Sequence, residues 1–194
     1  MRRTALTLVV LAAAAAPAVA LAQDRPPPMP TRDVAVTYRV IGGGDAGGSE
    51  MRIAWLTGEQ RVRLDMPGGR GAMIMDLKGQ RAFMVMDEQR MVMELPSSAG
   101  TMPQPGQIPS SARMTRSGTD RVAGQACTVW QVEEEGGRRG SACVTDDGVL
   151  LRARGPDGRE GMEATQVTYG PQDPARFRPP AGYRTEQMGM PPRR

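Results

Sequence analysis

The sequence predicts a mainly β domain built on a curved antiparallel sheet of about ten short strands. Three observations lead there. Apolar residues recur with a period of two over short segments. Turn signals rich in glycine, proline and aspartate separate those segments. No sustained apolar stripe with helical spacing and caps occurs, although residues 102–119 leave room for a short helix.

Taken in order, residues 1–22 have the layout of a signal peptide. Arg2 and Arg3 precede an apolar run from Ala5 to Ala16, and the small residues Ala20 and Ala22 stand just before Gln23. Cleavage after Ala22 is expected, and with it a periplasmic or secreted location in a bacterium. The run is shorter than the roughly 20 apolar residues of a membrane span and is broken by Pro17, so no transmembrane segment is expected after processing. Residues 23–32 read as a flexible Pro-rich leader. A single β domain is expected over 33–183, followed by a disordered tail over 184–194.

Within the domain, Val34, Val36, Tyr38 and Val40 alternate with Asp33, Ala35, Thr37 and Arg39, which puts the apolar set on one face of a strand. Met51, Ile53 and Trp55 alternate in the same way, as do Val62, Leu64 and Met66, with Gly58 at the tip of the hairpin between them. Three more segments follow, Ala72 to Leu77, Ala82 to Asp87 and Met91 to Leu95. Their more continuous apolar character predicts contact on both faces. Residues 96–111 are rich in Pro, Ser, Gly and Gln and predict a mobile loop. Strands resume at Cys127 to Glu133, Arg138 to Thr145, Val149 to Arg154 and Met162 to Tyr169. Asp146-Asp147-Gly148 and Pro156-Asp157-Gly158 mark turns among them.

The chain has two cysteines, Cys127 and Cys143. A hairpin centred on Glu135 sets them directly opposite one another, within bridging reach, and Gly136 and Gly137 give its turn the necessary backbone freedom. A structural disulfide is therefore expected. The spacing is not Cys-x-x-Cys and the four ligands of a zinc site are missing.

Composition excludes more than it suggests. No histidine is present, which removes the commonest general base and the imidazole metal ligand. Asp65, Asp76, Asp87, Asp146 and Asp147 stand in turns or on solvated strand faces, and Lys78 in a turn. No nucleophile, base and orienting group assemble by spacing. Neither a catalytic residue, a resident metal nor a cofactor is expected. Loss of Arg2 and Arg3 lowers the formal charge from +4 to +2, with arginines interspersed among acids, which argues against nucleic acid as a partner.

The order of elements resembles the LolA-like half-barrel superfamily of exported bacterial proteins, in its uncharacterised periplasmic branch. The likeness rests on Arg61-Val62-Arg63-Leu64-Asp65-Met66, on Phe83-Met84-Val85-Met86, on the hairpin from Gly124 to Leu151, and on Phe177-Arg178-Pro179-Pro180-Ala181-Gly182-Tyr183. It implies an open half-barrel, a lid loop or short helix over an apolar concavity, and non-enzymatic binding of acyl chains, lipoproteins or other envelope components.

Fifteen methionines are present. Met73 and Met75, Met84 and Met86, and Met91 and Met93 are spaced by two, so each pair shares a strand face. Together with Trp55 these six are the candidate lining of a ligand groove. Three uses fit such thioethers: filling an irregular core, holding a flexible apolar ligand, and coordinating Cu(I), the last ranked lowest because copper sites commonly recruit histidine. The function expected is that of a non-enzymatic periplasmic protein that binds a lipid-like ligand, a lipoprotein or an acylated protein segment in a Met-lined groove. The alternative is an interaction module for another envelope protein, with no small-molecule ligand.

Overall fold

Two up-and-down meanders meet side by side at the first strand. The computed structural model describes residues 25–42, 48–95 and 110–188, and among them a single open sheet of twelve strands, not closed into a barrel. The first meander comprises β1 (Val34–Ile41), β2 (Glu50–Leu56), β3 (Arg61–Asp65), β4 (Gly71–Asp76), β5 (Arg81–Met86) and β6 (Met91–Leu95). The second comprises β7 (Arg113–Val122), β8 (Gln125–Glu133), β9 (Arg139–Val144), β10 (Leu150–Arg154) and β11 (Gly161–Tyr169). β1 pairs antiparallel with β11 and joins the two, and the last strand, β12 (Arg184–Gln187), pairs parallel with β6. The sheet is thus mainly antiparallel and curved, as expected.

Two strands were not expected. β7 takes in residues 113–119, the last part of the 102–119 region allowed to a short helix, of which 102–109 lie outside the described residues. It is an edge strand, mostly exposed on both faces and interrupted by a bulge near Gly118, so it needs no apolar alternation to betray it. β12 is exposed throughout and lies at the start of the segment expected to be a disordered tail. The signal peptide and nearly all of the 96–111 loop lie outside the described residues.

Register in the first meander arranges side chains in rows that cross the strands. On the inner face one row is Val34, Trp55, Val62, Met75, Ala82 and Leu95, and the next is Val36, Ile53, Leu64, Met73, Met84 and Met93. The central members of both rows join the main hydrophobic cluster, to which the second meander adds Val122, Cys127, Cys143, Val149, Leu151 and Ala164. Tyr38, fully buried in this cluster, donates its hydroxyl proton to the Leu150 carbonyl at 2.7 Å, and burial pushes its pKa well up.

The outer face is buried over parts of β2, β4, β5 and β6, the last three being the segments whose apolar runs suggested it, whereas on β3 it carries Arg61, Arg63 and Asp65. A C-terminal strap crosses it. Asp173 caps the short 3-10 turn Pro174–Phe177, and Phe177 packs on Ala35, Ala54 and Leu56. Tyr183 then packs on a cluster of Ile74, Phe83, Val85 and Val92, and its hydroxyl donates to Asp87 at 2.9 Å.

Candidate functional site

The methionine face is assembled by the β4-β5-β6 meander. Turns at 77–80 and 87–90 are tight, and Gln80 and Arg90 both take positive φ there, 51° and 48°. Met73 stands opposite Met84 and Met84 opposite Met93, while Met86 stands opposite Met91. The five therefore share one face, with Met75 one position further along it.

Burial divides the candidate residues. Trp55 is 4% and Met75 5% exposed, and both belong to the main cluster. Met73 is half-buried and leans on that cluster from its border. Met84, Met86, Met91 and Met93 are half-buried and belong to none of the buried clusters. In the second row Val36 and Ile53 are fully buried, while Leu64, Met73, Met84 and Met93 are all half-buried. Three of the four half-buried positions carry thioethers. The Met91 sulfur accepts a long hydrogen bond from Arg184 of β12 at 3.9 Å.

Cys127 and Cys143 form the expected disulfide, with Cα atoms 5.5 Å apart. The register differs from the expected one. Val129, not Cys127, stands opposite Cys143, and the hairpin is centred on Gly136 instead of Glu135. The reason lies in the turn. Gly136 and Gly137 both adopt positive φ, 93° and 78°, so the loop places the two glycines where left-handed backbone is needed; the centre moves by one residue and the register by two, which keeps each side chain on its face. The bridge consequently runs diagonally across the pair. It lies in the main cluster, whereas Trp130, one residue out of phase, packs with Ala142, Val144 and Leu150 in a separate one.

Two cavities flank that smaller cluster. One of about 240 Å³ lies between the segment Arg25 to Pro28 and Met114, Val144 and Leu150. The other, about 420 Å³, is shallow, with Ala142, Leu150 and Ala153 in its floor and Arg138, Arg139 and Arg154 at its rim. None of the methionine candidates lines either cavity.

Four of the five carboxylates singled out in the sequence have structural partners, and the fifth, Asp146, is exposed. Asp65 is paired with Arg63 and Arg176, Asp76 with Arg61 and the Gly79 amide, and Asp87 accepts from Tyr183. Asp147 accepts from Arg32 at 2.6 Å, from Tyr169 at 3.2 Å and from the Thr145 hydroxyl. Among the described residues no group of three or more His, Cys, Asp or Glu is placed to hold a metal ion. No helix among them is long and apolar enough to cross a membrane.

The fold has counterparts among solved structures. An uncharacterised conserved protein from Thermus thermophilus superposes with a TM-score of 0.55 at 12% identity, covering 80% of this chain and 90% of that one. A chain in the complex of Pseudomonas aeruginosa MucA and MucB gives 0.49 at 20% identity, covering 73% of this chain and 53% of that one, so the present chain spans about half of it. MucB alone gives 0.48 at 17% identity, covering 85% of this chain and 64% of that one. No curated protein matches the sequence. A family model described as a domain of unknown function (DUF4412) matches residues 45–153, more than half of the chain.

Proposed function

This chain belongs to the DUF4412 family, and we propose that it is a non-enzymatic, extracytoplasmic binding protein of LolA-like half-barrel type that holds an apolar chain on its methionine face. The ligand class is a lipid-like molecule or an acylated segment of an envelope protein. One observation carries the reading: the inner apolar row stays apolar where it becomes half-buried, and its last three members are flexible thioether side chains, two of which join no buried cluster among the described residues. Such side chains adapt to ligands of irregular shape. The disulfide supports an oxidising compartment. The structural partners of Asp65, Asp76, Asp87 and Asp147, and a chain without histidine, support binding over catalysis.

The test contrasts two methionines on the same face. Met84→Asp places a charge where solvent still reaches it, so the far-ultraviolet spectrum should be unchanged while binding of a fluorescent fatty-acid analogue is lost. Met75→Asp buries an unpaired carboxylate and should cost several kcal/mol, unfolding the domain. Failure of the parent protein to bind the analogue, or equal binding by Met84→Asp, would sink the proposal. A protein-interaction module is the second reading, favoured by β7, a ten-residue strand paired, among the described residues, on one side only. Strand addition at such an edge is a common recognition mode, and a proline placed in β7 should then abolish partner capture and leave analogue binding intact.

A further inference from the structure

We propose that Met73, Met84 and Met93 form a Cu(I) site on the inner face of β4, β5 and β6. The three are consecutive members of one cross-strand row, Met84 being the register partner of both others. Adjacent strands lie about 4.8 Å apart. A metal–sulfur bond of about 2.3 Å puts the sulfurs of a trigonal site about 4 Å from one another. Met73 and Met93 flank Met84 and stand two strand spacings apart, so the three sulfurs meet at one ion when both outer side chains lean toward Met84. The unbranched methionine side chain, with its three rotatable bonds, has the reach to do so.

Burial and composition point the same way. Among the described residues Met84 and Met93 belong to no buried cluster, and all three methionines are half-buried. Imidazole and thiolate ligands are missing: the chain has no histidine, and its two cysteines are joined to each other. Uncharged thioethers favour a soft monovalent ion over Zn(II) or Cu(II), which prefer imidazole, thiolate or oxygen donors. Met91 is left out of the first set because its sulfur is engaged by Arg184.

The inference goes beyond the binding of an apolar chain and is separable from it. Leucine at the three positions keeps the apolar surface and removes the sulfur. The disulfide-bonded protein is titrated with Cu(I) held reduced by ascorbate, against a chromophoric Cu(I) chelator. One equivalent should bind. Met84→Leu and Met93→Leu should each weaken uptake by about tenfold or more, and the triple leucine variant should lose it while still binding the fatty-acid analogue. Absence of uptake by the parent protein, or equal uptake by the folded triple variant, overturns the proposal. So does a native mass of the copper-bound form showing Cys127 and Cys143 as free thiols.

Discussion

At the turn between β9 and β10, Asp147 gathers a charge, two hydroxyls and a backbone amide. Its carboxylate accepts from Arg32, Thr145 and Tyr169, and its carbonyl oxygen accepts the Thr31 amide at 2.9 Å. The Arg32 guanidinium also lies 3.7 Å from the centre of the Tyr169 ring. Residues 25–32, expected from composition to be a flexible leader, thus meet the domain at a built contact. Burial tends to raise the Asp147 carboxyl, but the hydrogen bonds from Thr145, Arg32 and Tyr169 outweigh it and hold the pKa below the usual carboxylate value. A depressed folded pKa adds stability that is complete above the unfolded value of about 3.9 and is lost as pH falls through the folded one. Asp33, whose burial is likewise outweighed by hydrogen bonds from Thr57, has the same sign. Thermal midpoints measured from pH 7 downward should fall below pH of about 4, and more steeply for the parent than for Asp147→Asn. Parallel curves would show that Asp147 contributes nothing of the kind. Only part of this was legible beforehand: the sequence marks Asp147 as a turn residue with Thr145 at hand, but Arg32 is 115 positions away, in the segment before β1, and Tyr169 ends β11.

Among the elements, the β8-β9 hairpin shows what a sequence states well and what it states poorly. The pairing of Cys127 with Cys143 was legible because only two cysteines exist and a hairpin lies between them. The register was not, because it depends on which two loop residues take left-handed backbone, and Glu135, Gly136 and Gly137 allow more than one answer. The diagonal bridge closes a loop of sequence separation 16, for which the chain-entropy model gives about 3 kcal/mol. Urea unfolding of a Cys127→Ala/Cys143→Ala variant should show a loss of up to that size with an unchanged fold. A change under a few tenths of a kcal/mol would mean that the hairpin is already closed in the unfolded chain. β7 and β12 escaped notice for a single physical reason. Sequence patterning reports burial, and strands at the two sheet edges with exposed side chains bury almost nothing.

Over the whole molecule, the strap from Gly170 to Gln187 lets one sheet carry two apolar faces. Its Arg176 reaches Asp65 at 2.8 Å, and the Arg176 carbonyl accepts from Arg63 at the same distance. Phe177 is 1% exposed, so Phe177→Ala should cost roughly 3–5 kcal/mol in a denaturation experiment. A much smaller loss would show that Ala35, Ala54 and Leu56 are covered without it. The Phe-Arg-Pro-Pro-Ala-Gly-Tyr ending was legible as a motif, but its role as a cover required knowing that β12 returns to β6, a parallel pairing between segments about ninety residues apart. The junction of the two meanders has a consequence in time. Each meander can form from neighbours in sequence, but β1 must find β11 across most of the domain, with Val34 opposite Tyr169 and Ile41 opposite Gly161. Loop-closure entropy for such a contact has to be met before any of its rewards arrive, which puts sheets of this kind among the slow folders, in milliseconds to seconds. The β1-β11 seam therefore divides the folding reaction as it divides the sheet: fast local zipping on either side, and one slow search that makes the two halves a single protein.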